Sequence, residues 1–377
     1  MNKKKIVFLT GTRADFGKLK SLIKITQNSD LFDVHIFATG MHLNKKYGKT
    51  IIEIQKSGFK NIFPYINHDD IEHMDRTLAK TIDGFSHYVN DLEPDLIIVH
   101  GDRVEALAGA IVGSLNNILV AHIEGGEISG TIDELIRHSV SKLSHIHFVA
   151  NKEAKKRLIQ MGELEESIFV IGSPDLDVMY SNELPTLDEV KKYYNINFDE
   201  YAIAMFHPVT TEYTNIEEYA KHFVDALIES GLRYVVIYPN NDLGSIEILK
   251  EYERLKNNPR FKIFPSLRFE YFLTLLKNSK FIIGNSSAGI REAPYYGIPS
   301  IDIGTRQNNR AKIESVIHVD YDKKNILEAI KRINKVEIKP KKENYFGEGQ
   351  SDKKFFEILT SEKIWNINHQ KQFQDIK

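Results

Sequence analysis

LVAHIEGGEISGTIDELIRHSVSKLSH, residues 119–145, is the stretch whose reading decides the fold. The run Leu119–Ile123 suits a strand covered on both faces, the pattern of a parallel sheet. It breaks off in Glu124, two glycines and a second carboxylate, Glu127. After Gly130, Thr131-Ile132-Asp133-Glu134 reads as a helix start, with the T-x-x-E spacing of a capping box. In open α/β sheets, ligands bind outside the carboxyl ends of the strands. The stretch therefore puts several carboxylates, His122 and a glycine turn where chemistry is expected. For Asp133 or Glu134 alone, simple compensation of the helix dipole is an equal account. Glu124 is different, because a carboxylate that closes a buried strand needs a partner or a task.

The same strand-end pattern recurs outward from there. Ile6–Leu9 is an apolar strand followed by Thr10–Lys18, read as a loop that opens a helix. It is not a Walker A loop: five residues separate Gly11 from Gly17, and Leu19 follows Lys18 where Ser or Thr would hold magnesium. Arg13 and Lys18 remain candidate anion contacts. Val34–Ala38 runs into Thr39-Gly40-Met41-His42, and with Tyr47-Gly48 nearby a mobile loop is expected. Asp95–His100 runs into Gly101-Asp102-Arg103 and a helix. Ile146–Ala150, a helix Lys152–Gln160, and Ile168–Ile171 complete the first half. Alternation of this kind implies a parallel sheet with right-handed crossovers. Residues 178–190, with Pro185, read as a linker. The pattern then restarts: Tyr201–Phe206 into His207-Pro208, Tyr234–Tyr238 into Pro239-Asn240-Asn241-Asp242, Phe281–Ile283 into Gly284-Asn285-Ser286-Ser287, and Ser300–Ile303 into Gly304-Thr305-Arg306. The expected architecture is α/β, with two Rossmann-like domains facing a cleft: 1–178, completed by a returning helix at 352–377, and 188–350. Residues 336–354 read as loop, and Phe355, Phe356, Leu359 and Trp365 mark the closing helix.

Composition narrows the function. The 377 residues carry 50 Lys and Arg against 52 Asp and Glu, a net charge of -2. No basic surplus points to nucleic acid or an anionic membrane. Cysteine is absent, which excludes disulfides, thiol catalysis and Cys-ligated metals. His122-Ile123-Glu124 imitates the H-x-E of zinc deaminases, but their P-C-x-x-C needs cysteine. His145 and His147 share a strand face with no third ligand nearby, so packing or a helix-end role accounts for them better than metal. The basic Met1–Lys5 is followed by too short an apolar run for a signal peptide. No run reaches the ~18–20 apolar residues of a membrane helix. A cytoplasmic location follows as an expectation.

Across the expected cleft, one wall carries Arg13, Asp102, Glu124 and Asp133. The other carries His207 and Gly284–Glu292, where Asn285, Ser286 and Ser287 at a helix entry suit a diphosphate; plain helix capping is the competing account. Glu292, further along that helix, suits ribose hydroxyls. Several carboxylates in one water-poor site repel, and one pKa is expected to rise. An acid and a base made from one residue type suit sugar chemistry.

The motifs GTRADFGKL (11–19), TGMHL (39–43), HGDRVEALAGA (100–110), residues 122–151, GSPDLD (172–177), MFHPVTTE (205–212), YPNND (238–242), residues 264–279 and GNSSAGIREAPYYGIPSIDIGTRQ (284–307) span both domains. Together they resemble the hydrolysing UDP-N-acetylglucosamine 2-epimerases of bacterial sialic acid synthesis. Ala14-Asp15-Phe16-Gly17 after Gly-Thr-Arg resembles the hydrolysing branch rather than the Pro-Glu of the non-hydrolysing one. The resemblance implies a fold like that of the GT-B glycosyltransferases and conversion of UDP-GlcNAc and water to N-acetylmannosamine and UDP, through 2-acetamidoglucal. It implies catalytic roles for Asp102, Glu124, Asp133 and His207. It implies UDP-sugar binding by Arg13, Lys18, His42, Arg103, Asn241, Ser286, Ser287, Glu292 and Arg306, with the uracil near Phe264–Phe269. No cofactor is required, no residue pattern indicates a divalent cation beside the diphosphate, and a homo-oligomer, dimer or tetramer, is expected. The alternatives are a hydrolysing epimerase of UDP-N,N′-diacetylbacillosamine, a glycosyltransferase of the same fold, and a UDP-sugar sensor without turnover.

Overall fold

The apolar runs become strands in the computed structural model, which describes residues 3–67, 73–181, 184–311, 313–335 and 340–375. Seven of them form one parallel sheet: β1 Lys4–Thr10, β2 Phe32–Ala38, β3 Ile62–Pro64, β4 Leu96–His100, β5 Leu119–Ile123, β6 Ile146–Val149 and β7 Ile168–Val170. Their order is β3-β2-β1-β4-β5-β6-β7. The direction of winding reverses between β1 and β4, so the ends of those two strands flank the crevice in which such sheets bind ligands. β4 and β5 are buried at every position, because helices cover both faces.

A second parallel sheet repeats the plan with β8 Ala202–Met205, β9 Tyr234–Ile237, β10 Phe261–Phe264, β11 Ile282–Gly284, β12 Ser300–Ile303 and β13 Val316–Val319, in the order β10-β9-β8-β11-β12-β13. Its switch lies between β8 and β11. Gly284 holds a φ of +133°, and a Cβ there would fall 1.8 Å from the Met205 carbonyl oxygen of β8. Only glycine tolerates both conditions. Gly284→Ala is therefore expected to cost about 3 kcal/mol or more, read as a lower denaturation midpoint at unchanged slope.

The chain divides into two compact units. The first comprises Met1–Glu127, Asp133–Ser181 and Tyr345–Lys377; the second comprises Ile128–Ile132 and Asn182–Asn344. The breaks fall at 181/182 and 344/345, against the 178 and 350 read from the sequence, and Ile128–Ile132 groups with the second unit. Phe355 and Leu359 of the helix Ser351–Thr360 are fully buried in the first unit's core. The Phe355 ring centroid lies 4.9 Å from that of Phe148 on β6 and 6.5 Å from that of Phe8 on β1.

Several local readings change. Thr10–Lys18 is not a loop: the helix Arg13–Gln27 starts directly after Thr12, which forms a capping box with Asp15, and Gly17 and Lys18 lie inside it. Gly40–Leu43 and Lys45–Tyr47 are 3₁₀ turns rather than open loop. The stretch 178–190 holds the end of the helix Pro174–Tyr180 and the start of Leu187–Tyr194, with 182–183 outside the described residues. Within 336–354, residues 336–339 also lie outside them, and the closing helix begins at Ser351. Among the described residues, no helix is long and apolar enough to cross a membrane.

Candidate active site

Glu124 ends β5 in a left-handed conformation, φ 66°, while its N–H still bonds the Phe148 carbonyl of β6 at 3.0 Å. A non-glycine residue rarely adopts this geometry; here the turn sends the side chain off the sheet into a pocket of charged and polar groups. The carboxylate is 5% exposed. Ser173 Oγ donates to Oε1 at 2.8 Å, Lys18 Nζ stands 3.5 Å from the same oxygen, and His100 Nε2 lies 3.4 Å from Oε2. Lys18 is also 3.7 Å from the buried Asp175. Lys18 is thus a partner of Glu124 inside the unit and not an exposed anion contact.

The other carboxylates are organised by a residue the sequence reading did not select. Arg137 is 1% exposed and donates to Asp102 and to the Glu127 carbonyl. Burial favours its neutral form, but the attraction of Asp102, Glu127 and Asp133 outweighs that and raises its pKa above the ordinary value. The expected mutual repulsion of carboxylates is answered by this one guanidinium. Arg137 stands four residues after Asp133 on the helix Ile132–Leu143, and residues at that spacing share a face; that was the signal available.

His122 is fully buried between Gly101 and Ser141. Its Nε2 lies 2.8 Å from the Gly101 carbonyl and its Nδ1 2.9 Å from Ser141 Oγ. A carbonyl only accepts, so Nε2 carries the proton and Nδ1 accepts from the hydroxyl. The ring is neutral, its pKa driven down to about 3 by burial, and it pins the peptide that presents Asp102. His42, expected to bind substrate, is also fully buried. It spends its nitrogens on Thr10 and Thr50, at 3.0 and 2.6 Å, and burial lowers its pKa to about 4. It supports the Thr10–Thr12 turn from beneath and offers no ligand surface. Both rings take up protons when unfolded as pH falls below 6.5, yet resist protonation when folded. Their contribution is intact above that pH and is lost below it, at about 1.4 kcal/mol per pH unit for each ring. The thermal midpoint is expected to fall from pH 6.5 down toward 4, and His122→Gln to flatten that slope.

At the β1 switch, Asp15 accepts from the N–H groups of Gly11 and Thr12, at 2.9 and 3.1 Å, and from Thr10 Oγ1 at 2.5 Å. The amides that a phosphate loop would offer are therefore occupied. Arg13 pairs with Glu53 at 3.0 Å, and Arg103 Nε lies 3.5 Å from Glu105, a buried carboxylate packed under Gly11 and Gly40.

In the second unit, Asn285 is wholly buried and ties the two switch strands together. Its Oδ1 accepts from the His207 N–H at 2.7 Å, and its Nδ2 donates to the His207 carbonyl at 2.8 Å. The Asn240 N–H donates to His207 Nδ1 at 3.0 Å, so the neutral ring carries its proton on Nε2. Arg306 and Gln307 both donate to the Asn285 carbonyl, at 3.4 and 2.9 Å. The segment after Asn285 is not one helix. Ser286 caps a 3₁₀ turn, Ser287–Gly289, through the Ala288 N–H, and Glu292 begins a separate four-residue helix. Pro294 lacks the N–H that a continuous helix requires. Glu292 is 3% exposed and sits at a helix start rather than a turn and a half inside one. So short an element carries little macrodipole, and the polar groups this segment gathers are the Ser286 and Ser287 hydroxyls and the Arg306 guanidinium. Asn241 is half-buried in the turn after β9. Gly130 belongs to this unit: its N–H donates to the Arg306 carbonyl at 3.1 Å, and a Cβ there would meet the Thr305 oxygen at 2.0 Å.

His145 bonds the Val120 N–H and the His369 carbonyl, and His147 bonds Glu163. Among the described residues, no group of three or more His, Asp or Glu is placed to hold a metal ion.

The sequence profile described as UDP-N-acetylglucosamine 2-epimerase matches residues 24–360. The chain is 50% identical, over 379 residues and 99% of both chains, to the UDP-N-acetylglucosamine 2-epimerase of Neisseria meningitidis serogroup B. It is 35% identical, over 94% of this chain and 95% of the relative, to the UDP-N,N′-diacetylbacillosamine 2-epimerase (hydrolyzing) of Legionella pneumophila. Its fold matches that of Methanocaldococcus jannaschii UDP-GlcNAc 2-epimerase, solved in complex with UDP-GlcNAc and UDP, at a TM-score of 0.80 and 24% identity over 94% of this chain and 99% of the other. The fold class is α/β with two Rossmann-like domains, like the GT-B glycosyltransferases.

Proposed function

The chain belongs to the UDP-N-acetylglucosamine 2-epimerase family, and from that premise we propose that it is the hydrolysing enzyme, converting UDP-GlcNAc and water to N-acetylmannosamine and UDP. The observation that carries this reading is the buried, left-handed Glu124 with Lys18, Ser173 and His100 around it, beside the Asp102–Arg137 pair. These are proton carriers held in fixed positions at the carboxyl ends of β4 and β5. Ala14-Asp15-Phe16-Gly17 supports the hydrolysing branch, as does a relative described as hydrolyzing.

The chemistry has two parts, proton transfer at C2 and departure of the diphosphate. The C2–H bond of the sugar breaks as a carboxylate among Asp102, Glu124 and Asp133 takes the proton. The electron pair forms the C1=C2 bond, and the C1–O bond breaks to release UDP. Water then adds: a proton reaches C2 on the opposite face, the water oxygen bonds C1, and a carboxylate takes the remaining proton. A C2–H beside an acetamido group is a weak acid, so the leaving diphosphate needs help. His207 Nε2–H, Ser286, Ser287 and Arg306 provide donors to it, and Glu292 is assigned to the ribose. No redox cofactor enters, because elimination followed by addition leaves the oxidation level unchanged. Release of free N-acetylmannosamine places the enzyme at the entry to sialic acid synthesis.

Turnover of UDP-GlcNAc in D₂O, followed by proton NMR, tests the reading. N-acetylmannosamine deuterated at C2, together with UDP, is the expected result. Intact UDP-ManNAc would instead assign the non-hydrolysing reaction. A second reading, UDP-N,N′-diacetylbacillosamine as substrate, is favoured by the 35% identical relative; turnover of that sugar alone would select it.

A further inference from the structure

The helix Ile132–Leu143 carries Asp133 as its second residue and Arg137 one turn on. Its twelve residues span about 18 Å, so its far end lies on the amino-terminal side of the sheet, just ahead of β6. A helix leaves its last carbonyls without partners. Here those carbonyls are met from a distant part of the chain. Lys371 Nζ donates to the carbonyls of Ser141, Lys142 and Ser144 at 3.0, 2.8 and 2.5 Å, and lies 2.5 Å from Glu163 Oε2. The flanking tail is anchored on the same side. His369 Nδ1 bonds the Asn117 carbonyl at 2.5 Å, the His369 carbonyl meets His145 Nε2 at 3.0 Å, and the Gln374 N–H donates to the Gly162 carbonyl at 3.2 Å. Phe373 covers Gly162, where a Cβ would fall 2.7 Å from the ring.

We propose that Lys371 is a positioning residue for the reaction: by gripping the far end of this helix, it fixes where Asp133 and Arg137 stand at the near end. The proposal rests on the functional reading above. A cation at a helix C-terminus opposes the macrodipole, and one ammonium bonded to three carbonyls allows the rod little axial or rotational play. The groups facing the ammonium are Glu163 from the turn before β7, Lys142 on the helix, His147 on β6, His145 ahead of it and His369 in the tail. Burial lowers Lys371 to about 8 against the pull of Glu163. Burial alone would raise Glu163, but the His147 hydrogen bond and the Lys371 charge bring it down to about 2. Glu163 therefore stays charged across the assay range while Lys371 titrates within it.

The experiment compares full-length Lys371→Met and Lys371→Arg with the parent protein. It follows kcat and KM for the UDP-hexosamine from neutral to alkaline pH, together with amide hydrogen exchange of residues 132–143. Lys371→Met is expected to lose about 10- to 100-fold in kcat with little change in KM, and to exchange faster at 133–137. Lys371→Arg is expected to restore kcat and to move the alkaline limb upward, because a guanidinium stays charged. Parent-like kcat in Lys371→Met overturns the proposal, as does faster exchange confined to the tail. Should Lys371→Met not fold, an alkaline limb that stays in place in Lys371→Arg overturns it. A parent protein without turnover on either UDP-hexosamine would sink the assigned reaction instead, leaving the exchange pattern to judge the grip on the helix.

Discussion

Glu124→Gln is expected to lose about 10²- to 10⁴-fold in kcat while folding as the parent does and binding UDP unchanged. The substitution is close to isosteric. The amide oxygen can still accept from Ser173 Oγ, which lies 2.8 Å from Oε1 in the parent, and Lys18 keeps Asp175 at 3.7 Å. The left-handed backbone at 124 costs the same for both residues. What disappears is a group that can take and return a proton beside the sugar. Steady-state release of UDP gives kcat, and calorimetric titration with UDP gives binding. A variant within a few fold of the parent rate would remove Glu124 from the proton path and leave Asp102 and Asp133 to carry it.

Arg137→Met is expected to lose about 2–3 kcal/mol of stability and to lose turnover with it. The side chain is 1% exposed and bonds both Asp102 and the Glu127 carbonyl. Removing it leaves Asp102 facing Asp133 and Glu127 with no positive charge from that side chain among them. Arg137 is buried and Asp102 partly so, and removing one partner of such a pair costs more than replacing both, which supplies an internal control. Asp102→Asn combined with Arg137→Met should recover part of the lost denaturation midpoint while staying inactive. Additive losses in the double variant would show that the two side chains do not interact.

The strand plan was legible because strands buried on both faces must be apolar throughout, and a glycine, a proline or a polar residue ends each run abruptly. Lys152–Gln160 was bounded correctly by its polar start and Gly162. The edge strand β3, three residues ending in Pro64, has no apolar run to announce it. The helix Met74–Leu92 has no continuous apolar run, because its apolar positions are spaced among polar and charged residues. At the site, the carboxylates could be read locally, since each closes a strand or opens a helix. Their partners could not: Lys18 stands 106 residues from Glu124, and Arg137 stands 35 from Asp102. Contacts of that separation arise only from the order of the strands in the sheet. In Thr10–Lys18 the helix start is hidden because Gly11 and Gly17 have the composition of a loop, while the capping box of Thr12 and Asp15 starts the helix at Arg13. Loop or helix start turns on where the Asp15 carboxylate goes, and it goes to the Gly11 and Thr12 N–H groups.

The return of Phe355 to the first unit's core sets the order in which the two units can finish during synthesis. The second unit has every residue it requires once Asn344 has emerged. The first, begun earlier, still lacks the helix that buries Phe355 against Phe148 and Phe8. A nascent chain therefore carries a completed carboxyl-proximal unit behind an amino-proximal sheet with part of its apolar face uncovered. Exposed surface of that kind invites association. A chain that stops between residues 345 and 355 and leaves the ribosome keeps that surface uncovered, so chaperones should hold it and proteases should clear it, even though almost every residue named at the site is present.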